Sequence, residues 1–167
     1  MRKTNKVLSL TVAGLMAFST SAVTAFSVSA AEDVTETKIY FEVPTEIWAD
    51  ALVKTDVSAL KVYAHTYAVA GDPDYKETSW QTKGEVCKYV SGNIYSYDID
   101  AKYKRTLKDG ADYVAIFSIV GDKSYQTCNV TMGKSCYGDT IVVTGETYEN
   151  SQDSQKKDYR SVWKSEA

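Results

Sequence analysis

Along this chain apolar and polar residues alternate in short runs, and Gly, Asp, Asn and Ser separate the runs. Period-two patterning predicts β-strands whose alternate side chains face a core. Residues 37–43 place Ile39, Phe41 and Val43 on one face. Residues 60–69 set Val62, Ala64, Thr66 and Ala68 against Tyr63, His65, Tyr67 and Val69. Residues 85–90, the turn Ser91-Gly92-Asn93 and residues 94–99 read as a β-hairpin. Residues 113–120 are apolar almost throughout, which predicts a central strand covered on both faces. Gly121-Asp122-Lys123 turns that strand into residues 125–132, and residues 140–144 form a last short strand. Seven short strands of this kind predict an all-β fold, a small antiparallel β-sandwich of immunoglobulin-like character.

Three stretches depart from the pattern. Residues 1–30 have the layout of a secretory signal peptide. Arg2, Lys3 and Lys6 precede an apolar run over 7–18, and a small-residue tract ends in Val28-Ser29-Ala30. Residues 31–36 are then a polar leader and 37–148 the β-sandwich. The stretch 44–58 admits a helical turn over 46–52 or a loop that tucks Trp48 into the core. Residues 149–167 form a polar tail. In it Tyr159, Val162 and Trp163 have the spacing of a short helix, and a tail folding back to lay Trp163 over an edge is the other reading.

Charge narrows the partners. The first thirty residues carry three of the 19 basic residues and none of the 22 acidic ones, so the remainder has a formal charge of −6. Such a chain has little with which to neutralise phosphates, which argues against nucleic acid and anionic lipid as partners. No later segment has the length and apolarity of a membrane span. The three cysteines are an odd number for an exported protein. Cys128 and Cys136 flank a turn and are close enough in sequence for a local disulfide, whereas Cys87 reads as a small buried hydrophobe.

The chemistry-bearing residues are sparse. His65 is the single imidazole, and neither G-x-S-x-G nor H-E-x-x-H occurs. The expectation is a non-enzyme without metal or cofactor, with a small secreted hydrolase as a minor alternative. Gly71-Asp72-Pro73-Asp74 reads as a tight turn rather than a calcium loop, and Asn129-Val130-Thr131 as a chance match to a glycosylation triplet. The aromatic placement is more informative. Tyr63, His65 and Tyr67 recur about 6.6 Å apart on one strand face, and Trp80 follows in a polar segment. Rings set beside amides and hydroxyls suit a sugar, whose C–H faces stack and whose hydroxyls need donors and acceptors. The plainer reading packs these rings into the core.

Several short motifs occur in one order: Lys38-Ile39-Tyr40-Phe41, Lys61-Val62-Tyr63-Ala64-His65, Trp80 with Gly84, Gly92-Asn93-Ile94-Tyr95-Ser96-Tyr97, Ala115-Ile116-Phe117-Ser118 and Gln126-Thr127-Cys128-Asn129-Val130. That order resembles the starch-binding carbohydrate-binding modules of family 26, and their family 25 relatives, found in secreted proteins of gut Firmicutes. The resemblance spans about residues 37–130. It implies a non-catalytic β-sandwich that binds α-glucans such as starch or malto-oligosaccharides. Carried over by position, His65 and Tyr67 supply the strand's rings, Trp80 the second ring, and Gln126 a polar contact. Three positions depart from the family's pattern: His65 stands for Tyr, Trp80-Gln81-Thr82 for W-P-G, and Ala115-Ile116-Phe117-Ser118 for V-I-F-N. The alternative is a structural or adhesive β-sandwich at the cell surface that binds a protein partner.

Overall fold

The computed structural model describes residues 37–80, 84–100, 105–150, 153 and 156–167; the expected export segment and leader lie outside them. Ten strands follow one another: β1 (Lys38–Glu42), β2 (Lys61–Ala70), β3 (Glu85–Val86), β4 (Lys88–Ser91), β5 (Ile94–Asp98), β6 (Asp112–Val120), β7 (Ser124–Thr127), β8 (Val130–Met132), β9 (Thr140–Glu149) and β10 (Lys157–Trp163). The chain is therefore mostly β, as its alternation predicts. No helix among the described residues is long and apolar enough to cross a membrane.

The hydrogen bonds join these strands into one sheet rather than two. Its order is β3-β2-β6-β7-β10-β9-β1-β5-β4, with β8 also on β6. The first and last strands of that path, β3 and β4, are chain neighbours separated by Cys87 alone. The sheet thus comes back to where it began and forms a nearly closed barrel. Most pairings are antiparallel. Two are parallel and only two residue pairs long: β1 with β9 through Tyr40↔Thr140 and Phe41↔Ile141, and β10 with β7 through Asp158↔Gln126 and Tyr159↔Thr127. These short parallel contacts merge the expected separate sheets into a continuous one.

The inward faces follow the predicted alternation. Ile39 and Phe41 of β1, Val62 and Ala64 of β2, Tyr95 and Tyr97 of β5, and Tyr113, Ala115, Phe117 and Ile119 of β6 share one core. Strand β6 is buried on its outer side too, at Val114 and Ile116, in keeping with its unbroken apolar run. Residues 44–51 combine both readings of that segment. Trp48 N–H donates to Pro44 O, a short 3-10 helix follows over Ala49–Ala51, and Trp48 is fully buried. Its indole stacks on Tyr125 (5.5 Å, 16°) and meets Tyr159 edge-on (5.4 Å, 78°).

Two expectations are corrected and one open alternative is closed. Residues 125–132 are not one strand: between Gln126 and Val130 the partner register on β6 moves by one residue, and the ladder breaks into β7 and β8. The polar tail is not helical at Tyr159, Val162 and Trp163; residues 157–163 are strand β10, paired with β9 and β7. The inward positions there are Tyr159, Ser161 and Trp163, and the serine conceals the period-two pattern. Cys128 and Cys136 are free thiols, as is Cys87. Burial raises the Cys136 thiol to about 11, so it stays protonated at neutral pH.

Because β10 belongs to the sheet, its anchor carries stability. Trp163 is buried and its Nε1–H donates to Thr131 O at 2.7 Å. Trp163→Ala is expected to lower unfolding stability by roughly 3–5 kcal/mol, as large aromatic truncations do, measured by urea denaturation. A loss under 1 kcal/mol would assign this segment a peripheral role.

Candidate functional site

The outer face of β2 carries Tyr63, His65 and Tyr67, since Val62, Ala64 and Thr66 point inward. Beyond β2 the chain turns at Gly71 and Asp72-Pro73-Asp74, where Tyr75 N–H donates to Asp72 O. The buried Asp72 carboxylate accepts from Lys108 Nζ (2.5 Å) and Tyr113 OH (2.8 Å), which fastens this turn to the barrel. The Lys108 ammonium holds the Asp72 carboxyl below its ordinary range.

The returning segment lies along the free edge of β2. Tyr75 OH donates to Thr66 Oγ1 at 2.9 Å, and Arg105 Nε donates to Lys76 O. Thr78 N–H donates to Thr66 O, and Thr66 N–H donates to Thr78 Oγ1, both at 3.0 Å. Residues 79 and 84 are then clasped by Gly84 N–H donating to Ser79 O (2.9 Å). Gly84 has φ +96°, and a Cβ there would run into the Ala64 carbonyl. Glycine is needed on both counts. Trp80 follows Ser79, the residue that this clasp holds.

This local folding brings three predicted rings together. His65 and Trp80 have centroids 4.7 Å apart at 63°, and His65 and Tyr67 5.4 Å apart at 34°. His65 is 8% exposed and Trp80 43%, with Tyr67 half-buried. Trp80 and Tyr67 are therefore the accessible rings, and His65 is the packed ring between them. His65 Nδ1 lies 2.6 Å from Thr78 Oγ1. That hydroxyl also accepts from Thr66 N–H, so Thr78 holds the strand backbone and the imidazole at one point. Burial pushes the His65 pKa down, with Arg105 acting the same way and Glu77 opposing; the ring is neutral at pH 7.

Tyr63 and Gln126 lie one row away. Across the outer face the register runs Tyr63, Ser118, Gln126, Asp158 and Tyr148. Gln126 Nε2 donates to Asp158 Oδ1 at 2.9 Å. A residue the sequence reading passed over takes its place beside the rings: Asn129 Nδ2 donates to Tyr67 OH at 2.9 Å. It reaches Tyr67 because the one-residue slip between β7 and β8 swings it out of the ladder. An Asn inside an otherwise apolar-alternating run is the signal that marks such a slip. Among the described residues no three His, Cys, Asp or Glu side chains group as metal ligands. No protein-family model and no curated protein matches the chain.

Two outcomes test this geometry. Gly84→Ala is expected to destabilise the fold by roughly 3 kcal/mol through strain and clash, read as a lowered melting temperature; an unchanged one would contradict the close approach. The depressed His65 pKa means that its stabilising effect is complete above the ordinary value of 6.5 and is lost as pH falls through the folded-state pKa. Urea midpoints should therefore fall between pH 7 and pH 5. In His65→Gln that slope should flatten, and an identical slope in both proteins would remove His65 as its source.

Proposed function

We propose that this chain is an exported, non-catalytic carbohydrate-binding module for α-1,4-glucan, either starch or malto-oligosaccharides, that works without a cofactor. The observation that carries the reading is His65 set between Tyr67 and Trp80 on the outer sheet face, with Trp80 43% exposed. Two rings inclined to a common neighbour suit adjacent glucoses of a curved chain, each offering an apolar C–H face. A neutral His65 keeps the platform uncharged, which fits a neutral ligand. The order of motifs shared with starch-binding modules supports the same assignment and a sandwich-like arrangement of the barrel walls. On this reading Gln126 acts through Asp158 rather than at the rings. The platform is shallow, so single-site affinity is modest and firm attachment to granules depends on multivalency.

A second reading, a protein-binding surface domain, is favoured by one observation. Val86, Tyr89 and Val90 are exposed on the short strands flanking Cys87, apolar surface that a protein partner would cover.

Affinity electrophoresis in amylopectin separates the two. The protein should be retarded, and Trp80→Ala should weaken retention about tenfold, the worth of one stacked ring. Unretarded mobility of a protein that still melts cooperatively would overturn the glucan reading in favour of the second.

A further inference from the structure

We propose that the glucan site continues from the rings, past Asn129, into the cleft between β8 and β10, which holds further glucose units of the same chain. This extension rests on the α-glucan reading above. The cleft has a volume of about 570 Å³, within the range of small-molecule sites. It exists because the sheet's ladder lapses there. Strand β8 pairs with β6, while β10 pairs with β9 and touches β7 only at residues 158–159. Between β8 and β10 the bridge is the Trp163 indole on Thr131 O.

The cleft opens on the same face as the rings. Tyr67, Val114 and Thr131 share one row across β2, β6 and β8. Tyr113 and Ala115 belong to the core, so Val114 and its row face outward. Two interstrand steps, about 10 Å, separate Tyr67 from Thr131. Asn129 belongs to both parts: its amide nitrogen donates to Tyr67 OH, and it lines the cleft. Its amide oxygen is an acceptor at the junction, where a ligand hydroxyl passing from ring to cleft needs one.

The lining names the ligand class. Thr131, Ser135 and Ser165 supply hydroxyls over a floor that includes Trp163. Of its charged members, Arg160 NH1 donates to Glu146 at 2.7 Å and Asp139 accepts from Ser165 Oγ at 2.6 Å, while the exposed Glu166 adds a second carboxylate. Hydroxyls, an amide and an apolar floor suit a neutral polyhydroxylated chain, and the carboxylates of Asp139 and Glu166 turn away an anion.

Titration of the full chain with maltotriose and maltoheptaose tests the extension. Maltoheptaose should bind about tenfold tighter, the worth of one or two net hydrogen bonds. Thr131→Trp, an exposed rim position, should keep the maltotriose affinity and erase that gain. Ser135→Trp on the opposite lip is the second variant, with the same expectation, should the first fail to melt like the parent. Equal affinity of the parent protein for both sugars, or a length gain that survives in the folded rim variants, overturns the extension and leaves the ring platform standing. Binding of neither sugar by the parent protein overturns the glucan reading itself, and the extension with it.

Discussion

At Cys87 the backbone N–H still donates to Val62 O of β2 at 2.8 Å, while the next residue, Lys88, is already paired with Ser96 of β5. One strand thereby serves two neighbours, and the sheet's path returns on itself. A sheet that closes leaves few unpaired edge groups to satisfy elsewhere. The core depends on that return, because the inward residues of β1, β2, β5 and β6 enclose one another only when the path comes round. Cys87 is small and buried, and burial pushes its thiol well above the ordinary range. It acts as a compact neutral side chain at a crowded bend, which is how its sequence setting reads.

The ring cluster hangs from the same edge of β2, just past the point where β3 leaves off. Thr78 takes both backbone groups of Thr66 and also contacts the imidazole of His65. One residue therefore sets both the loop's distance from the strand and the position of the central ring. Gly84 sets the loop's return by lying flat against Ala64. Side chains whose rotamers are locked by such contacts lose little freedom when a ligand arrives.

Strand existence and facing were legible in the sequence wherever the alternation was unbroken. Tyr63, His65 and Tyr67 share one face as their spacing predicts, though that face is the outer one and not the core the plainer reading gave them, and β6 is buried on both sides as its apolar run predicts. Legibility failed where one residue broke the period. Ser161 occupies an inward position in β10, so the apolar residues left over mimic a helical repeat. The extra residue at Cys128-Asn129 divides a run that reads as one strand, and it hides the only polar side chain hydrogen-bonded to Tyr67 OH among the described residues. Parallel pairing was not legible at all. β1 meets β9 across about a hundred residues, and no local pattern encodes such a contact. The proximity of Trp80 to His65 likewise depends on the Thr78 clasp, which joins residues from separate segments through hydrogen bonds rather than periodicity.

The two parallel contacts, each two residue pairs long, divide the barrel into three antiparallel blocks: β3-β2-β6-β7 with β8 also on β6, then β10-β9, and β1-β5-β4. Amide hydrogens at such thin joints exchange through local opening, while those within a long ladder such as β2–β6 wait for larger unfolding. The ring cluster lies wholly within the first block. The cleft lies across the joint between the first and second. The rings and the cleft therefore stand on different supports, the one beside a long ladder and the other across a joint two residue pairs long.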